Sequence, residues 1–184
     1  MGMKTSIEIE YKTLITEEKY HELLKKFELE ENIFHQENYY FDTNDFYLKN
    51  NNMALRIRHK GDIYKLTLKR PHEDGCLYED SILLTKDKAL KMIESGFIPE
   101  GFGLTEMVNL KATLETNRVS TPYEDGKLFF DQSIYCNTID YEVEYEASDL
   151  KQGLLTFKEF LDANNIEYKT GKHKISRVYE KLGI

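Results

Sequence analysis

A chain of 184 residues holds enough material for one hydrophobic core, and 40% hydrophobic against 32% charged residues marks a folded chain rather than a disordered one. A formal charge of −8 argues against a nucleic-acid surface without bearing on a local basic pocket, and no window approaches the roughly 20 apolar residues of a membrane span. Cys76 and Cys136 lack CxxC spacing and no signal-peptide pattern precedes the first apolar run, so two free thiols in a reducing cytoplasm are expected.

In chain order, alternation predicts a first strand over 7–14. Thr16 then has the chemistry of a helix N-cap, Glu17 and Glu18 place negative charge in the first turn, and Tyr20, Leu23, Leu24 and Phe27 share one helical face. An extended aromatic stretch over 35–42 leads to a polar turn at Asn50, Asn51 and Asn52. Two runs of period two, 54–58 and 64–69, flank Gly61 and Asp62 as a hairpin would, and Pro71 ends the second because it cannot donate into a ladder. A strand over 76–84 and a helix over 87–95 ending near Gly96 follow. The second half reads as a long strand over 109–123, a turn at Glu124, Asp125 and Gly126, and strands over 128–131 and 140–146. Leu154, Phe157, Phe160 and Leu161 stripe a helix over 153–164, and a terminal helix holds Ile175, Val178, Tyr179 and Leu182. No repeat, low-complexity tract or Pro/Gly-rich linker interrupts the chain, so one domain over 1–184 is expected, of α+β antiparallel type.

Strand parity sorts the charges. Glu8, Glu10 and Lys12 share one face; Arg56 and Arg58 share another, as do Lys65, Thr67 and Lys69, and Glu142, Glu144 and Glu146. A single strand of this kind is most simply a sheet with one solvated side. Across five strands the same positions are repeatedly Glu, Arg or Lys, and the paired glutamates repel unless cations or metals lie between them. Closing the sheet into a barrel puts the apolar faces under outer helices and the charges inside. An interior with both signs suits a polyphosphate, whose oxygens need Arg and Lys and whose metal needs carboxylates.

At this point the order of motifs resembles a known family. Glu8-x-Glu10-x-Lys12 is similar to the ExExK signature of CYTH domains, the triphosphate tunnel metalloenzymes. Tyr40-Phe41-Asp42-Thr43, Leu55-Arg56-Ile57-Arg58, Leu66-Thr67-Leu68-Lys69, Asp131, Glu142-Val143-Glu144 and Lys174-Ile175-Ser176-Arg177 extend the likeness from Ile7 to about Arg177. The resemblance implies an eight-stranded antiparallel β-barrel, a tunnel with helices packed outside, that hydrolyses tripolyphosphate or a related triphosphate with Mg²⁺ or Mn²⁺. It implies phosphate contacts from Lys12, Arg56, Arg58, Lys69, Arg118 and Lys174, with Lys65 and Arg177 as further candidates. It implies metal contacts, direct or through water, from Glu8, Glu10, Asp131, Glu142 and Glu144, and from Glu79 if Asp80 beside it faces away. Glu8, Glu10 and Lys174 are the candidate catalytic groups, a glutamate positioning the attacking water.

Two departures matter. Thr116 stands where the family often has a basic residue, two positions before Arg118, which predicts a weaker phosphate contact there or its transfer to Lys65. The HF-containing lead of some cyclase members is absent, which disfavours a nucleotide cyclase. A non-catalytic polyphosphate-binding module could dispense with the carboxylates, and both glutamate pairs are present. The expected partner is therefore a small-molecule triphosphate, with no nucleic-acid polymer and no membrane, bound by a monomer or homodimer.

Overall fold

The computed structural model describes residues 2–72 and 75–184. Among them the chain forms, in order, β1 (Lys4–Ile15), α1 (Glu17–Lys26), β2 (Phe34–Asp42), α2 (Tyr47–Asn50), β3 (Ala54–Lys60), β4 (Ile63–Pro71), β5 (Leu77–Leu84) and α3 (Lys86–Ser95). It continues with β6 (Asn109–Tyr123), β7 (Gly126–Tyr135), β8 (Thr138–Ala147), α4 (Leu150–Ala163) and α5 (Lys174–Leu182). The strands close as an antiparallel barrel in the order β1-β5-β4-β3-β2-β6-β7-β8, with the helices packed outside. No helix of the described residues is long and apolar enough to cross a membrane.

Local chemistry sets the ends of these elements. Thr16, extended at φ −76° and ψ 159°, accepts a hydrogen bond from the Lys19 amide and so satisfies one of the donors that open α1. Thr85 and Asp149 do the same for α3 and α4. Gly96 closes α3 at φ 69°, where a Cβ would come within 2.5 Å of the Val108 carbonyl oxygen, so both the left-handed backbone and the close approach require glycine. The expected polar turn at Asn50–Asn52 is preceded by a short helix that the sequence pattern did not reveal. Its cause is Asp42, a buried carboxylate that accepts from the amides of Thr43, Leu48 and Lys49 at 2.8–2.9 Å. Two short 3₁₀ turns, Glu30–Asn32 and Glu100–Phe102, were likewise not anticipated.

The chain packs as two compact units, each assembled from separate stretches of sequence. The first comprises Met1–Ile7, Gln36–Glu115 and Lys174–Ile184. Its core joins Leu55, Ile57, Leu66 and Leu68 from β3 and β4 to Phe41, Leu48, Ala89 and Met92. The second comprises Glu8–His35 and Thr116–His173. There Leu128, Phe130, Val143 and Tyr145 from β7 and β8 pack on Leu23 and Leu24 of α1 and on Phe157 and Phe160 of α4. In both units the strand residues that alternate with these core residues face away from the core, among them Lys12, Arg118, Asp131, Glu142 and Glu144 in the second and Arg56, Arg58, Lys65, Lys69 and Glu79 in the first.

Candidate functional site

In the second unit, four strands bring opposite charges together. Register pairs Asp131 with Glu142 across β7 and β8, and Lys12 with Glu144 across β1 and β8. Asp131, Glu142 and Glu144 are almost wholly buried, at 0–2% exposure, because Phe130, Val143 and Tyr145 between and beside them anchor the strands to the core. One carboxylate oxygen from each of the three lies within 4.8 Å of the others. Three buried negative charges so close repel strongly, and the fold offsets them with two cations. The Arg118 guanidinium from β6 grips Asp131 with two parallel bonds of 2.6 Å and reaches Glu144 at 2.5 Å, while lying 4.5 Å over the Phe129 ring. The Lys12 ammonium bridges Glu10 and Glu144, the latter at 3.2 Å. Burial works against both cations, but the facing carboxylates outweigh it. The Lys12 and Arg118 pKa values therefore rise above their ordinary ranges, and both groups stay charged.

The donor chemistry of this group fits a hard divalent cation: three carboxylates and no sulfur or imidazole, as Mg²⁺ and Mn²⁺ prefer. Glu8, Glu10 and Glu79 are outside the three-carboxylate group. Glu8 is half-buried on β1, and Glu10 is engaged with Lys12.

In the first unit, Arg56 and Arg58 from β3 pair in register with Thr67 and Lys65 of β4, and Lys69 pairs with Glu79 of β5. Glu79 accepts from Lys65 at 2.9 Å and lies 3.7 Å from Lys69. Burial alone would raise its pKa, but Lys69, Lys65 and Arg56 hold it below the usual carboxylate value. Asp80 takes the opposite face and bonds Thr5 and Arg70, so the one-residue ambiguity between Glu79 and Asp80 resolves with Glu79 among the cations. Lys174 and Arg177 on α5 are 9% and 8% exposed, which is incompatible with a solvated terminal helix face.

Two residues at these sites escaped the sequence pattern. Asn38 on β2 is the register partner of Arg58; its buried amide oxygen accepts from Arg58 Nε at 3.0 Å, and its nitrogen donates to the Leu114 carbonyl at 3.4 Å. Phe129, placed opposite Glu144, offers its ring to Arg118. The only sequence signal for either was its parity. The Thr116 hydroxyl is buried without a hydrogen-bond partner among the described residues, so the position two before Arg118 carries no charge into the interior.

The model of the CYTH domain matches residues 6–179. YjbK of Bacillus subtilis (strain 168), described as a candidate triphosphatase, is 35% identical, with 97% of each chain covered. A crystal structure from Bacillus halodurans, described as a candidate adenylate cyclase, is 34% identical with a TM-score of 0.88, over 95% of this chain and 98% of that one. HpAC1 from Hippeastrum, a candidate adenylyl cyclase described as having a dominant triphosphatase activity, shares the fold at 20% identity and a TM-score of 0.70, over 94% and 95% of the two chains. The ordered motifs, the closed barrel that carries them and the match over nearly every residue agree: this chain belongs to the CYTH domain family.

Proposed function

We propose that this protein is a metal-dependent triphosphatase and that inorganic tripolyphosphate is its substrate. The observation that carries the reading is the buried group of Asp131, Glu142 and Glu144 with Arg118 and Lys12 against it. Supporting it is the 35% identity to YjbK, itself described as a triphosphatase candidate.

Asp131, Glu142 and Glu144 are the residues suited to hold Mg²⁺ or Mn²⁺, and that ion would supply Lewis-acid stabilisation of charge on phosphoryl oxygens. The chain's own part is positioning and neutralisation. Lys12 and Arg118 in the second unit, and Arg56, Arg58, Lys65, Lys69, Lys174 and Arg177 in the first, are assigned to phosphate oxygens. Their fixed positive charge favours the transition state, in which charge gathers on the oxygens of the leaving phosphate. Lys174 is assigned to the leaving group. Glu8 and Glu10 are assigned to the attacking water, which they orient by accepting its proton in a hydrogen bond. Glu79 is assigned to offsetting the mutual repulsion of Lys65 and Lys69, which both lie against its carboxylate.

The test is incubation with Mg²⁺ and, separately, tripolyphosphate, ATP or thiamine triphosphate, measuring phosphate, pyrophosphate and cyclic AMP. Phosphate release from tripolyphosphate that EDTA abolishes is the expected result. The likeness to the Bacillus halodurans protein makes a cyclase the second reading, and cyclic AMP with pyrophosphate from ATP would replace the first. Binding without turnover of any of the three would leave only a binding module.

A further inference from the structure

The groups assigned to the metal are the same groups that hold Arg118. Both Asp131 oxygens and one Glu144 oxygen accept from its guanidinium, so two of the three carboxylates are engaged by a cation that belongs to the chain. A carboxylate oxygen has limited room for hard cations at hydrogen-bond and coordination distance. A dication entering among the three would also lie against the buried positive charge of Arg118. The oxygens of an incoming phosphate would preserve the hydrogen bonds that Arg118 gives up.

We propose, resting on the reading above, that Arg118 is a tethered counter-ion that competes with the metal for Asp131 and Glu144. Metal entry displaces it, and the displaced guanidinium becomes the phosphate ligand. The two events are coupled: without an anion to receive Arg118 the metal binds weakly, and without a metal the carboxylates retain Arg118. No covalent step is involved.

Removing the competitor gives the decisive test. Mn²⁺ alone, with free Mn²⁺ counted by electron paramagnetic resonance, should bind the Arg118→Met protein about tenfold or more tightly than the wild type, the usual scale of such couplings. Lys88→Met, which removes an exposed cation outside the assigned groups, should leave Mn²⁺ affinity unchanged. The variant's melting temperature should also rise more on adding Mn²⁺ than the wild type's does. Equal or weaker Mn²⁺ binding by Arg118→Met would overturn the proposal while leaving the metal site standing. Absence of Mn²⁺ binding by every protein, with or without imidotriphosphate (the nitrogen-bridged analogue of tripolyphosphate), would instead sink the metal reading and the proposal with it. Should Arg118→Met fail to fold, the wild type still decides. Its Arg118 Nε–H resonance must shift when Mg²⁺ and imidotriphosphate are added together and hold still when either is added alone; an unmoved resonance at saturation overturns the exchange.

Discussion

Asn38 shows what one uncharged residue can do among many charged ones. The Arg58 guanidinium has five donors and a flexible stem, and its Nε–H is fixed by the Asn38 amide oxygen at 3.0 Å. That bond sets the direction of the guanidinium fork, and the second Asn38 bond, to the Leu114 carbonyl, fixes the amide itself. Asn38→Ala should therefore weaken substrate capture without removing any charge. Losing one hydrogen bond to a charged group costs about 1.5–3 kcal/mol, or roughly 10- to 100-fold in kcat/KM, carried mainly by KM. Steady-state kinetics on tripolyphosphate, beside a thermal melt, measure it. An unchanged kcat/KM with a lowered melting temperature would reduce Asn38 to a packing role. Nothing in the local sequence marks this residue, because its importance comes from a register partner 20 positions away. Glu8, Glu10, Arg56 and Arg58, by contrast, stood out because a two-residue charge step is a local pattern.

Elements were legible where a local rule sets them. The Thr16 cap, the hairpin around Gly61 and Asp62, and the strand over 109–123 each follow from residues within a few positions. The short helix at Tyr47–Asn50 was not, since it depends on Asp42 reaching forward six and seven residues with its carboxylate. The choice between Glu79 and Asp80 was equally hidden, because parity needs a fixed register and the neighbouring strand supplies it. On that outer face Asp80 links three strands of the first unit: Thr5 of β1 donates to it at 2.6 Å, and Arg70 of β4 pairs with it. The Thr5 hydrogen bond, with Arg70 behind it, overcomes the opposing effect of burial and holds the Asp80 pKa below the usual carboxylate value. A depressed native pKa stabilises the fold above the unfolded-state value, near 3.9 for aspartate, and that stability is lost as pH falls through the native value. Asp80→Asn should thus lower the melting temperature at neutral pH, with the gap to wild type closing progressively below about pH 4. Melts in EDTA across that range test it, and a gap that persists undiminished at the acid end would show that Asp80 contributes through shape rather than charge.

At the scale of the molecule, the distribution of charge matters more than its sum. The residues assigned to the reaction comprise eight cations and six carboxylates, a balance of +2 before any metal enters. Removing them from the totals of 25 basic and 33 acidic residues leaves 17 against 27, so the rest of the chain carries −10. Alternation places the assigned strand residues on the face opposite the hydrophobic core, and Lys174 and Arg177 come from α5, while the acidic remainder dominates what a large anion meets first. The proposed substrate, a small triphosphate, would exchange its solvation for Lys and Arg. On this reading a nucleic-acid polymer would meet net repulsion over the Debye length, about 10 Å at 0.1 M salt. The composition alone announced the acidity, but closure of the barrel is what lets an acidic chain gather cations on one face of its strands, as the proposed substrate requires. The expected outcome is selectivity by size at constant chemistry. A fluorescent single-stranded DNA of about 20 nucleotides should show no anisotropy change with the protein and Mg²⁺ at low salt, where polymer binding is strongest. Under the same conditions, with Mn²⁺ replacing Mg²⁺, imidotriphosphate should bind in a calorimetric titration. DNA binding that weakens steeply with added salt would mean that a basic face is exposed after all, and would remove the small-molecule restriction on the substrate.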